Sequence, residues 1–239
     1  MRLLPLSIAC LSMTLPIHAG CVTHVSQLPI AASSVAIAAP RGADLADGEF
    51  VHVSIPMAGG NQLLIYALHN DAPFNGYSER GILISHDGLT ISKLPLSSIP
   101  ELKPDPKHPD DDPSDSYQAL SLTTVCLGGK TFYWLAFHWQ GDIISPELLV
   151  LLSPQGQGYS LSPLPLIDGG TLEISRSDPS QFRTWNNLFE GICNACETHY
   201  EVAEYALISG KPSLRRKWKS KKLYSTGQFN SGLGVRLIP

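Results

Sequence analysis

The two closely spaced cysteines in Cys193-Asn194-Ala195-Cys196 bear most directly on chemistry in this chain. Three chemistries fit their spacing. A redox pair needs its first cysteine at the N-terminus of a helix that follows a strand, where the helix dipole lowers the thiol pKa and makes a nucleophilic thiolate. The surrounding segment from Leu188 to Glu201, LFEGICNACETHYE, carries no such strand-helix-strand pattern. A zinc site completed by His199 would want a second ligand pair of similar spacing, and the sequence supplies none. A disulfide that staples a loop needs only that the two thiols reach one another, and this is the expectation.

A second constellation is electrostatic. Lys211, Arg215, Arg216, Lys217, Lys219, Lys221 and Lys222 place seven cations in twelve residues, with Trp218 and Tyr224 interleaved or adjacent. Cations beside aromatic rings suit phosphate attraction and base stacking, but the export signal described below removes nucleic acid as a partner. An anionic envelope surface or an acidic protein fits instead. The candidate contact surface is therefore Arg215, Arg216, Lys217, Trp218, Lys219, Lys221 and Lys222, against the plainer reading of a solvated strand face. The opposite charge gathers in Glu101 to Ser116, ELKPDPKHPDDDPSDS, where six acids stand among four prolines. Asp110, Asp111, Asp112 and Asp115 have the oxygens for calcium but lack the EF-hand spacing and its turning glycine, so a solvated linker is expected.

Recognised catalytic signatures are missing. There is no G-x-S-x-G, no H-E-x-x-H, no phosphate-cradling G-x-x-x-x-G-K-[ST] and no dinucleotide-binding G-x-G-x-x-G between a strand and a helix. Triads assembled from distant residues leave no such mark, so an enzyme is disfavoured rather than excluded.

The first twenty residues, MRLLPLSIACLSMTLPIHAG, place this chemistry in a compartment. Arg2 precedes an uncharged apolar run from Leu3 to Ile17, and Ile17-His18-Ala19 offers a small residue just before a cut, as a cleavable secretory signal does. The run is short for a bilayer and is weakened by Pro5 and Pro16. Export to the periplasm or the cell exterior is the expectation, and it favours disulfides. A simple cut leaves Cys21, Cys126, Cys193 and Cys196, with Cys21 and Cys126 pairing by elimination. Ala19-Gly20 before Cys21 also fits lipoprotein processing, although His18 stands where an aliphatic residue is normal. Lipidation of Cys21 would be the one route to a membrane, with residues 21–47, rich in Ala, Ser and Pro, as an arm or tether.

The elements that must position these residues are short strands. Of 239 residues, 43% are hydrophobic and 16% charged, while 19 prolines and 20 glycines punctuate the chain heavily. An all-β domain over 48–239 follows. Three units of four strands recur at 49–96, 119–166 and 170–218. Leu94-Pro95-Leu96 returns as Leu164-Pro165-Leu166, and Tyr66-Ala67-Leu68-His69 aligns with Leu135-Ala136-Phe137-His138. Repeated antiparallel meanders predict a propeller-like stack, with a β-sandwich as the alternative. Three blades fall short of a propeller, so the N-terminal arm and residues 223–239, with a strand at Gly234 to Ile238, are expected to build an irregular fourth.

This alignment places His69 and His138 at equivalent strand ends, with Glu190 near the corresponding point of the third unit. The trio is a weak candidate metal site, and no cofactor is expected. The chain thus reads as an exported, non-enzymatic binding protein, such as an inhibitor or immunity-type partner of a secreted enzyme. An envelope hydrolase of glycans or esters and a structural envelope component are the other classes left open.

Overall fold

The computed structural model describes residues 27–29, 36–69, 76–102, 107, 117–127, 130–139, 146–164, 167–168, 172–175, 178, 180–188, 190, 196–225, 228–229 and 231–236. The described residues contain strands and short 3₁₀ turns and no α-helix. Their β-branched, leucine-rich and aromatic runs are bounded by Gly, Pro, Asn and Asp, as short strands are.

The three expected meanders are present. Sheet I pairs β2 (Glu49–Pro56), β3 (Asn61–His69), β4 (Tyr77–His86) and β5 (Leu89–Pro95) in chain order. Sheet II pairs β6 (Tyr117–Leu127), β7 (Lys130–Trp139), β8 (Pro146–Gln155) and β9 (Gly158–Pro163), with β1 (Gln27–Pro29) added outside β6 and β10 (Ile167–Asp168) beside β8. Sheet III pairs β11 (Leu172–Ser175), β12 (Gln181–Asn187), β13 (Tyr200–Ile208) and β14 (Lys211–Lys219), with β15 (Gly234–Arg236) beside β11. Every strand pairing is antiparallel. Tight turns set the registers: Asp87 and Gly88 both take positive φ, 49° and 70°, as the type I′ hairpin turn demands and Asp-Gly permits. Ser209 and Gly210, at 52° and 79°, repeat the device between β13 and β14.

The sheets stack face to face in chain order. Leu63, Ile65, Ile82 and Ile84 of sheet I share one core with Leu122, Leu135, Phe137 and Val150 of sheet II. The opposite face of sheet II, with Trp134, Ala136, Leu149 and Leu151, shares a second core with Ile174, Phe182 and Tyr205 of sheet III. Sheet II is therefore covered on both sides. This is why β8 reads Leu148 to Leu152 without a polar interruption, all fully buried, whereas β3 sends Leu63 and Ile65 to one face and Leu64 and Tyr66 to the other.

The outer faces are closed by the chain's own ends. Ala43 and Leu45 cover Val51, Leu64, Tyr66 and Leu83 on sheet I, and the Lys93 ammonium fastens this arm through the carbonyls of Ala43 and Asp44 at 2.9 and 2.6 Å. On sheet III, Phe229 stacks on Tyr200 at 4.9 Å and meets Trp185 and Tyr224 edge-on. Two expectations are corrected here. The described parts of the two terminal segments do not form a fourth blade: β1 extends sheet II, β15 extends sheet III, and flanking residues cap the stack. No closed propeller is formed by the described residues, whose arrangement is a layered, sandwich-like stack of blade-like meanders.

The bulges also shift the repeat alignment. β2 bulges at His52 opposite Tyr66 and Ile65, and β6 bulges at Leu120 opposite Phe137 and Ala136. An extra residue changes the side-chain phase, so Val51 and Val53 serve opposite faces while Ala119 and Leu122 serve the same one. Matched on these bulges, Tyr66 corresponds to Phe137 and Ala67 to His138. His69 and His138 are accordingly two positions out of equivalence.

Candidate functional site

The basic run occupies β14, the edge strand of sheet III, and the residues just beyond it. β14 pairs with β13 through Glu201 opposite Lys219, Val202 opposite Trp218, Ala203 opposite Lys217 and Glu204 opposite Arg216, with a bulge at Arg215. Alternation sends Arg216 and Trp218 to the outer face of the stack, beside Arg183 from β12. The Arg183 and Arg216 guanidinium carbons lie 5.2 and 4.7 Å from the centre of the Trp218 ring, within the range of cation–π attraction.

One carboxylate holds both guanidiniums. Glu204 Oε2 accepts from Arg183 Nε at 2.7 Å, while Arg216 forms a bidentate pair with the carboxylate, Nε donating to Oε1 and Nη2 to Oε2, each at 3.1 Å. Burial pushes the Glu204 carboxyl up, and its hydrogen bonds and charge attraction to the two arginines outweigh that and hold it below the ordinary value. Farther along the strand, Lys217 pairs with Glu201 at 2.8 Å. Glu190 lies between Lys219 and the Nδ1 of His199, each 2.5 Å away. Lys219 first, and His199 second, draw the Glu190 carboxyl down to about 2.

The predicted contact residues thus fall into two sets. Arg216 and Lys217 are matched by Glu204 and Glu201 of β13 and Lys219 by Glu190 in the segment between β12 and β13, and Trp218 is half-buried beneath guanidiniums. Arg215, Lys221 and Lys222 are exposed at the bulge and just after the strand. Glu173 of β11 stands directly opposite Arg183 on the same face, so the two arginines are matched by two glutamates and the surplus of positive charge rests with the exposed Arg215, Lys221 and Lys222. Opposite charges across neighbouring strands contribute only about 0.2–1 kcal/mol per exposed pair. Their larger effect is to hold Arg216 and Trp218 in one arrangement.

The metal trio is not assembled. His69 stacks on Phe50 with ring centres 4.1 Å apart, His138 pairs across the strands with Gln118 and Glu147 on sheet II, and Glu190 serves Lys219 and His199. Among the described residues no group of three His, Cys, Asp or Glu is placed to hold a metal ion. Cys196 is half-buried just ahead of β13 and Cys126 is on β6 opposite Thr131. Cys21, Cys193, the leader at 1–20 and Asp110, Asp111, Asp112 and Asp115 lie outside the described residues.

A buried polar cluster escaped the sequence reading. His52 and Glu79 are fully buried between sheets I and II, with Nε2 and Oε1 3.4 Å apart, and Glu79 Oε2 accepts from the Ala119 amide of sheet II at 2.7 Å. Tyr77 packs beside His52 at 4.7 Å between ring centres. Each residue alone reads as one polar position in a strand. What joins them is the pair of bulges at His52 and Arg80, which no local spacing announces.

No protein-family model, curated protein or solved structure matches this chain.

Proposed function

We propose that this chain is an exported, non-enzymatic interaction protein that grips an acidic protein surface in the periplasm or outside the cell through β14 and the residues after it. An inhibitor or immunity-type partner of a secreted enzyme has this character. The observation that carries the reading is Trp218 held beneath the guanidiniums of Arg183 and Arg216, with Arg215, Lys221 and Lys222 exposed on and just after the same strand. Trp and Arg dominate the energetics of protein interfaces, and a tryptophan fixed before contact loses little conformational freedom on binding. The surrounding cations steer an acidic partner and speed encounter. The leader-like segment 1–20 supports export, and in that setting Cys193 and Cys196 close as a structural disulfide that staples the loop before β13.

Charge reversal tests the proposal. Capture from an envelope extract by the mature chain is compared with capture by Arg215→Glu/Lys221→Glu/Lys222→Glu, at low and high salt. The reading expects one acidic partner that the parent retains, that the triple variant loses and that salt weakens. Capture unchanged by the reversal contradicts it. The intact mass of the exported species, starting at Gly20 or carrying acyl chains on Cys21, separates a soluble form from an anchored one.

A further inference from the structure

β14 differs from the other sheet edges in what covers it. On sheet I, the Val51 carbonyl of β2 accepts from the Ile37 amide at 2.7 Å, and the Thr90 amide of β5 donates to the Arg41 carbonyl at 2.9 Å. β6 is covered by β1 and β11 by β15, each of three residues, and the Tyr159 carbonyl of β9 accepts from the Ser92 hydroxyl at 2.8 Å. Among the described residues β14, nine residues long, has a neighbour on one side only. A long uncovered edge is a template for another strand. We infer that the acidic partner is held by strand addition: an extended acidic segment of it pairs with the outward backbone of Lys217 and Lys219. This rests on the reading of β14 as the contact surface and adds the form of the contact.

The ladder fixes which backbone groups are offered. Just past β14, the Ser220 amide donates to the Tyr200 carbonyl at 2.8 Å. Hydrogen-bonded positions alternate along an antiparallel pair, so Trp218 and Arg216 turn their backbone toward β13, while Lys217 and Lys219 turn their N–H and C=O groups outward. At the other end the Ile208–Lys211 pair closes the hairpin. The same alternation turns Pro212 outward, where it has no N–H to offer, and the bulge at Arg215 breaks the line. The open stretch is therefore Arg216 to Lys219, exposed except at the half-buried Trp218.

Charge decides which strand fits that stretch. Pairing two copies of β14 antiparallel about Lys217 would set this lysine against itself and Arg215 against Lys219, and like charges directly opposite are destabilising. A second copy is thereby disfavoured. A strand carrying carboxylates meets attraction instead, because exposed Arg215 stands before the stretch and exposed Lys221 and Lys222 after it. The two faces of β14 ask for different side chains. Trp218 lies on the outer face, where an aromatic ring pairs well with a β-branched neighbour across strands, and Lys217 and Lys219 lie on the other. Alternating acidic and β-branched residues satisfy both. In such strand addition the main chain supplies affinity and the alternate side chains supply specificity.

The test uses the peptide acetyl-(Glu-Val)4-amide and a twin N-methylated at its two central residues, which keeps the charge and interrupts both hydrogen-bonding edges of the peptide. Each is titrated into the mature chain, with amide hydrogen exchange followed by NMR. The unmodified peptide should slow exchange at the Lys217 and Lys219 amides and bind about tenfold more tightly than the twin, as loss of backbone hydrogen bonds requires. The inference is overturned if the unmodified peptide does not bind, if the twin binds as tightly, or if exchange at Lys217 and Lys219 is unchanged on binding. The two readings fail separately. If Arg215→Glu/Lys221→Glu/Lys222→Glu loses its partner from the envelope extract while the peptide and its twin bind the parent alike, the charged contact stands and strand addition is wrong. If that triple variant keeps its partner, the contact surface itself is wrong and strand addition falls with it.

Discussion

Glu190 shows how far the charges of this protein are organised rather than scattered. Its carboxyl is held near about 2 by Lys219 and then His199, against 4.5 for the free side chain. A lowered folded-state pKa means that the ionised form stabilises the fold above the unfolded value and that this contribution is lost as pH falls through the folded one. Thermal melts of Glu190→Gln should therefore show a flatter decline than the parent between pH 4.5 and about 2, and similar melting below that window. Parallel declines across the whole window would remove Glu190 from the acid response. Glu79 presents the opposite case. It is buried, shared by His52 and the Ala119 amide, and joins two sheets rather than decorating one.

At the scale of the element, glycine identity is decided by close approach as well as by turns. A Cβ on Gly81 would stand 2.5 Å from the Leu94 carbonyl oxygen and 2.5 Å from the Tyr66 hydroxyl. The backbone there is not left-handed, so the requirement is one of space. Gly81→Ala should destabilise the protein by about 1–3 kcal/mol, the usual cost of overpacking, read as a lower denaturation midpoint. An unchanged midpoint would mean that β4 and β5 separate without cost.

The strands themselves were legible in the sequence, because alternation and the Asp87-Gly88 and Ser209-Gly210 turns act over a few residues. The bulges were not. Each inserts one residue at His52, Arg80, Ile91, Leu120 or Arg215, and its effect is felt only in the partner strand. Hence the pairing of His69 with His138 slipped by two positions. The basic strand was also legible, but its division into matched and exposed cations required Glu190, Glu201 and Glu204 from other parts of the chain.

At the scale of the whole molecule, the layered arrangement answers a problem of surface. Each meander has two apolar faces, and a row of such sheets must either close into a ring or cover its ends. Here residues around Ala43 and Leu45 cover one end, and residues around Phe229 cover the other. Sheet II, between the other two, should be the slowest part to open, since β7 and β8 are buried on both faces and each fully buried large apolar side chain contributes roughly 1.5–3 kcal/mol. Sheets I and III have one face closed only by a terminal segment. The measurement that tests this account most directly is native-state hydrogen exchange along the mature chain. The stack predicts the greatest protection in 132–137 and 148–152, with β2 and β14 exchanging sooner, and it is contradicted if β12 and β13 outlast β7 and β8.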